Sequence, residues 1–289
     1  MLELFQTPGA AIALAGGLGL IVGSFLNVVI LRLPERLMHS WRAQSREILE
    51  LDAGDPVDAA PPGIVREPSH CPQCKHPLSA LENIPLVSWL ALRGRCRHCG
   101  APISMQYPLV ELVTAVVSAL IAWKFGFTWH TAAGLLFSWT LIALAGIDVR
   151  TQLLPDQMTL PLLWLGLLAA LVPLFVSAPA AILGAAIGYL SLWSIYWLFK
   201  LATGKEGMGY GDFKLLGALG AWMGPWALLP IVLLSSLIGA IVGGITLAVQ
   251  GRDRATPIPF GPFLAAAGWT QFAFGDQIMQ IYRSLFGLA

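Results

Sequence analysis

Eight apolar runs, approximately 9–31, 107–124, 128–147, 157–177, 179–199, 212–224, 226–249 and 257–275, dominate this chain of 289 residues. A helix needs about 17 to 25 such residues to cross roughly 30 Å of hydrocarbon. Inside lipid each backbone polar group must find its partner within the protein, which leaves helices or a closed barrel. Runs of this length, broken at Ser177-Ala-Pro179, Met223-Gly-Pro225 and Thr256-Pro257, predict an all-α polytopic membrane protein with about eight transmembrane helices. The sixth run is short enough to be re-entrant. The first reads as a span rather than a signal peptide, because no basic leader precedes it and Asn27 and Arg32 continue into Leu33-Pro34 without a small-residue cleavage site.

Charge is scarce and unevenly placed. Charged residues make up 11% of the chain, against about 25% in a soluble domain. Such a profile excludes a disordered chain, and 4 Cys are too few for a disulfide-built secreted domain. More than half of the charges lie between Arg32 and Glu111. The expected organisation is a first transmembrane helix over 1–33, a polar loop over 34–106 and a helical membrane domain over 107–289. With the N-terminus outside, the inside segments hold 15 of the 17 Lys and Arg, and only Lys124 and Arg283 fall outside. That bias supports both the span count and a cytoplasmic polar insert. Residues 45–66, with Asp52, Asp55 and Asp58, read as a solvated acidic connection. Basic residues there are interleaved with acids, so no nucleic-acid partner is expected.

All four Cys lie in the insert, as Cys71-Pro-Gln-Cys74 and Cys96-Arg-His-Cys99. Each C-x-x-C pair can direct two sulfurs at one ion, and Zn²⁺ accepts four thiolates tetrahedrally. Gly100 suits a tight turn behind the second pair. Disulfides or a redox C-x-x-C are the alternatives, and both fit a reducing compartment poorly. Four thiolates leave no open coordination position, so a zinc held here is expected to be structural.

Ionisable groups at membrane depth are costly and mark function. Outside the insert the acids are Glu3, Asp148, Asp156, Glu206, Asp212, Asp253 and Asp276. Asp148 ends the third run in Gly146-Ile-Asp148-Val-Arg150, and Asp212 opens the sixth after Gly207, Gly209 and Gly211. No H-E-x-x-H or G-x-S-x-G is present, four of the five His lie in the insert, and His130 falls at the outer surface. A carboxylate pair is therefore the main catalytic resource: the ionised partner takes a proton from water and the neutral one donates to a carbonyl oxygen. The three glycines let the backbone approach a substrate strand or a second helix closely. The alternative for both acids is a salt bridge to Arg150 and Lys214 that only ends helices.

At these residues the chain resembles the prepilin leader peptidases of type IV pilus and type II secretion systems. The resemblance runs through Gly23-Ser-Phe-Leu-Asn27-Val-Val-Ile-Leu-Arg32-Leu-Pro34, the paired C-x-x-C insert, Asn83-Ile-Pro-Leu-Val-Ser88-Trp89, Tyr107-Pro-Leu-Val-Glu111, the segment from Gly146 to Asp156, and G-x-G-x-G-D-x-K. It implies a membrane aspartic endopeptidase of the GxGD type with Asp148 and Asp212 as its dyad. The expected substrates are prepilin and pseudopilin precursors, cut on the cytoplasmic side of the bacterial inner membrane after the glycine that ends a basic leader. The resemblance further implies S-adenosylmethionine-dependent N-methylation of the new terminus, although no glycine-rich Rossmann loop is present.

Other residues carry weaker expectations. Asn27 either contacts the substrate backbone or satisfies a neighbouring helix. Glu111, about one turn inside the second run, either binds the leader or the precursor's amine or pairs with an Arg. Asp156, after Pro155, is expected to cap the fourth helix. Trp123, Trp129, Trp222 and Trp226 are expected at the lipid interface. Two other classes compete with the enzyme: an ion-coupled transporter, disfavoured because the acids sit at one face rather than the midplane, and a non-catalytic secretion-system scaffold.

Overall fold

The computed structural model describes residues 7–50, 60–65, 67–79, 81–250 and 259–286. Glu3, Asp52, Asp55, Asp58, Arg66, Arg252, Asp253, Arg254 and the Thr256-Pro257 break lie outside the described residues, as does the side chain of Arg283. In chain order the helices are α1 Pro8–Ile48, α2 Val87–Ala91, α3 Gln106–Phe125, α4 Trp129–Thr151, α5 Asp156–Ala169, α6 Ala178–Thr203, α7 Tyr210–Met223, α8 Leu228–Gln250 and α9 Gly261–Phe286. Extended pairing among the described residues is confined to two isolated bridges, His70 with Pro77 and Arg95 with Pro102. The chain divides into two compact units, Met1–Phe127 and Thr128–Ala289.

Each apolar run carries one helix, and among the described residues five are long and apolar enough to cross a membrane: α1, α3, α4, α6, and α8 with the turn Pro225–Ala227 that leads into it. The 14 residues of α5 and of α7 reach about 21 Å each at 1.5 Å per residue, short of a ~30 Å hydrocarbon core. Helix α9 is interrupted at Phe274, where φ is -131° and ψ 15°.

In the first unit α1 continues past the boundary at residue 33 through Pro34 to Ile48. Pro34 lacks an N–H for the preceding turn, yet the helix persists to a length of about 60 Å, twice what hydrocarbon requires. Its first half packs on α3 with the backbones nearly touching. A Cβ on Gly23 would lie 2.7 Å from Glu111 Cα, and one on Gly19 2.7 Å from the Thr114 carbonyl. Small residues at such spacing are what allow two membrane helices to approach. Its second half is gripped by the insert: the Arg32 guanidinium donates to the carbonyls of Gly63, Glu67 and Pro68, and Arg36 to that of Pro61.

In the second unit the short helix α7 is the core. Phe213, Leu215, Leu216, Ala218, Leu219 and Ala221 are fully buried, with α5, α6 and α9 packed around them. Gly184 of α6 and Gly220 of α7 meet backbone to backbone, so that a Cβ on either would collide with the other's carbonyl. The outward side of α6 presents Leu183, Ile187, Leu190, Leu198 and Leu201, the apolar exterior a lipid-facing helix requires. Trp222 corrects the sequence expectation. It is 2% exposed, with its Nε1 donating to the Leu162 carbonyl at 2.8 Å, whereas Trp123, Trp129 and Trp226 are exposed. Gly166 makes room for the buried indole, since a Cβ there would lie 2.5 Å from Trp222 Cδ1.

Candidate active site

Helix α4 stops because Gln152 turns left-handed, with φ 54° and its N–H on the Asp148 carbonyl, and because Pro155 follows. Asp148 thus sits in the last turn, 4% exposed. Helix α7 starts from Gly209, whose extended backbone accepts the Asp212 N–H at 3.2 Å. Asp212 lies in that first turn, 7% exposed. Helix α9 starts at Gly261, whose N–H donates to Asp148 Oδ2 at 3.0 Å. Each carboxylate therefore meets a helix N-terminus, where the macrodipole favours negative charge.

Leu154 joins these elements. A Cβ on Gly211 would lie 2.6 Å from Leu154 Cβ, and one on Gly261 3.2 Å from Leu154 Cδ1 and 2.6 Å from Asp148 Oδ2. The side chain is wedged between the glycine before Asp212 and the glycine that holds Asp148. The two carboxylates are within electrostatic reach of each other. Asp212 Oδ1 is buried without a hydrogen-bond partner among the described residues. Two buried carboxylates that feel each other's charge are chemically suited to share one proton and to act as base and acid on a water and a carbonyl.

Ion pairing does not claim them. Lys214 gives its ammonium to both oxygens of Asp156, at 2.6 and 2.8 Å, and neither ion pair among the described residues includes Asp148 or Asp212. Asp156 is the first residue of α5 and makes no side-chain cap. The expected capping role is replaced by a tie between α5 and α7. Among the three glycines, Gly211 packs on Leu154, Gly209 receives the Asp212 N–H, and Gly207 lies against the ring of Phe199, 2.9 Å from where a Cβ would stand.

Asn27, Glu111 and the four cysteines belong to the first unit. There two matching turns present the sulfurs. Cys71 N–H bonds the His76 carbonyl and Lys75 N–H the Cys71 carbonyl; Cys96 N–H bonds the Ala101 carbonyl and Gly100 N–H the Cys96 carbonyl. Lys75 and Gly100 take equivalent left-handed positions, φ 58° and 71°. The four Sγ atoms lie within 4.8 Å of one another, all as free cysteines, with Cys71 and Cys99 3.8 Å apart. Backbone N–H groups of Cys74 and Gln73 aimed at Cys71 hold its thiol down to about 6, favouring the thiolate that binds metals. The four residues can hold one metal ion.

Asn27 donates from Nδ2 to the carbonyls of Tyr107, at 3.0 Å, and Gly23, at 3.3 Å, and so ties α1 to the start of α3. Glu111 is 7% exposed and accepts the Leu86 N–H at 2.8 Å. Three residues escaped the sequence reading. Gly261 was announced only by its prolines, Pro259 and Pro262. Leu154 looked like one apolar residue among many. Leu86 lies inside a quoted motif, but its backbone, at φ 59° and ψ -48°, shows no sequence signal.

The family model of the bacterial peptidase A24 N-terminal domain matches residues 18–125, and that of the type IV leader peptidase family residues 135–244. Among curated relatives, a prepilin leader peptidase/N-methyltransferase from Xanthomonas campestris pv. campestris is 56% identical over 288 residues, covering 100% of both chains. Proteins of the same name from Stutzerimonas stutzeri and Pseudomonas aeruginosa are each 55% identical, over 96% and 93% of this chain and 96% and 92% of their own. No solved structure matches the chain.

Proposed function

The chain belongs to the type IV leader peptidase family, and from that membership we propose that Asp148 and Asp212 are the dyad with which it removes the leader from prepilin and pseudopilin precursors. The observation that carries this assignment is that two buried carboxylates, one from the end of α4 and one from the start of α7, flank the same Leu154 side chain through Gly261 and Gly211, with no cation paired to either among the described residues. One carboxylate takes a proton from the attacking water while the other, protonated, donates to the scissile carbonyl oxygen. The unpartnered Asp212 Oδ1 is the atom available for that exchange.

The relatives' shared name also gives this chain a second activity, N-methylation of the terminus that cleavage exposes. S-adenosylmethionine supplies an electrophilic methyl group on sulfur for that reaction. The four cysteines hold zinc: Zn–S bonds of about 2.3 Å put tetrahedral sulfurs about 3.8 Å apart, the separation of Cys71 and Cys99. With all four ligands from protein, the ion stabilises the insert rather than activating water. The distribution of Lys and Arg supports a cytoplasmic position at the inner membrane for the insert and both aspartates, with the N-terminus outside.

Mass spectrometry of a pilin-like precursor, incubated with the purified protein and S-adenosylmethionine, tests both activities by reporting the cut site and the added methyl. Cleavage by an Asp148→Asn or Asp212→Asn variant at the unaltered rate would remove the dyad from this assignment.

A further inference from the structure

The first unit contains a cavity of ≈ 420 Å³ between α1, the start of α3 and the cysteine insert, lined by residues that include Asn27, Glu111, Trp89 and Arg32. Its volume falls within the range of small-molecule sites, roughly 300–1,000 Å³. Asn27, 1% exposed, donates through Nδ2 to the carbonyls of Gly23 and Tyr107, and its Oδ1 is buried without a partner among the described residues. Glu111 takes the Leu86 N–H on Oε2 and is in neither ion pair among the described residues. Of the cations in the wall, Arg32, Lys75 and Arg97, Arg32 directs its N–H groups to the carbonyls of Gly63, Glu67 and Pro68. A buried amide oxygen thus awaits a donor, and on the same cavity wall stands a carboxylate held by the Leu86 N–H and the Ser24 side chain but balanced by no ion pair; a cationic nitrogen answers the first by hydrogen bonding and the second by charge.

The backbone is built to keep Glu111 in place. Leu86 forms a γ-turn with positive φ, closed by the Val87 N–H on the Pro85 carbonyl at 2.6 Å, and it is this turn that aims the Leu86 N–H at the carboxylate. Such turns are rare and strained for a residue with a side chain. Trp89 lines the same cavity, its Nε1 donating to the Ile103 carbonyl and its ring against Gly94, where a Cβ would stand 2.8 Å away. An aromatic ring next to acceptors is a common setting for methylated cations.

We propose that this cavity is the methyl-transfer site, in which Asn27 Oδ1 and Glu111 bind the free α-amino group of the cleaved substrate and Glu111 takes its proton; the proposal rests on the N-methyltransferase activity given above. An α-ammonium, with a usual pKa of about 7.7–8.0, has no lone pair to react. Transfer of one proton to Glu111 frees it. The amine nitrogen then forms a bond to the methyl carbon of a sulfonium donor, the C–S bond breaks with its electron pair remaining on sulfur as a thioether, and the product is a secondary ammonium in the same acceptor pair. Glu111 returns its proton to solvent.

Glu111→Gln in the full-length protein tests this, because glutamine still offers an oxygen to the Leu86 N–H but cannot take a proton. The variant should lose methylation by a factor at least about 100 larger than any loss of cutting, within the range for loss of a positioned base. A second readout is binding of a mature-type N-terminal peptide, followed by tryptophan fluorescence. The unaltered protein should prefer the free-amine peptide over its N-acetylated form about tenfold or more, and the variant should lose the preference. Undiminished methylation by the variant, equal binding of the two peptides by the unaltered protein, or equal loss of cutting and methylation would each overturn the site. Cleavage without methylation by the unaltered protein would instead overturn the activity on which it rests.

Discussion

The N–H of Gly261 donates to Asp148 Oδ2 at 3.0 Å, so the first residue of α9 orients a carboxylate 113 positions earlier in the chain. A side chain cannot be added at that glycine without moving the carboxylate, because a Cβ would stand 2.6 Å from the same oxygen. Gly261→Ala is therefore expected to lower cleavage about 100-fold, the effect of displacing a catalytic group by about 1 Å. Membrane insertion and zinc content should not change. Cleavage kinetics on a precursor peptide, with metal analysis of the same preparation, check this.

Replacing either aspartate with asparagine should reduce cleavage by about 10³-fold or more, since acid–base groups contribute 10² to 10⁴. The double variant should be little worse than either single one, as is expected of a proton-sharing dyad that acts as one unit. Rates from single and double variants decide between a dyad and two independent groups.

Lys214 and Asp156 make a close ion pair, but their side chains are 27% and 54% exposed. Pairs at that exposure contribute about 0–1 kcal/mol. Lys214→Met is expected to cost no more than about 1 kcal/mol, and a double-mutant cycle with Asp156→Asn, read by thermal unfolding in detergent, should give a coupling in the same range.

Removal of the proposed zinc should loosen the insert around four sulfurs that no disulfide cross-links. Chelation of the purified protein is expected to release one zinc per chain and to make the buried Cys71 and Cys96 react with a thiol reagent together with the exposed Cys74 and Cys99. Four thiols should titrate after chelation and few before it.

Gly184 and Gly220 pack α6 on α7 with no room for a side chain. Gly220→Leu should cost well over the ~1–3 kcal/mol typical of overpacking, because the obstacle is backbone. Loss of folded protein on size-exclusion chromatography, with Gly244→Leu as a tolerated comparison where a Cβ meets nothing within 4 Å, measures it.

The sequence alone determined that the chain is helical and bound for a membrane, since apolar runs of fixed length leave few other solutions in lipid. It also singled out Asp148, Asp212 and the four cysteines, since charge at membrane depth and paired C-x-x-C are rare enough to stand out. Tertiary structure decided what periodicity and spacing cannot encode. Trp222 lies in the core rather than at the interface, because Gly166 leaves space for it and the Leu162 carbonyl takes its N–H. Asp156 is claimed by Lys214, 58 residues away, instead of its own helix. Gly261 reaches Asp148, and Leu86 reaches Glu111, through backbone N–H groups. Every non-proline residue carries that donor, so the sequence cannot mark which one is used; only the meeting of helices distant in the chain selects it.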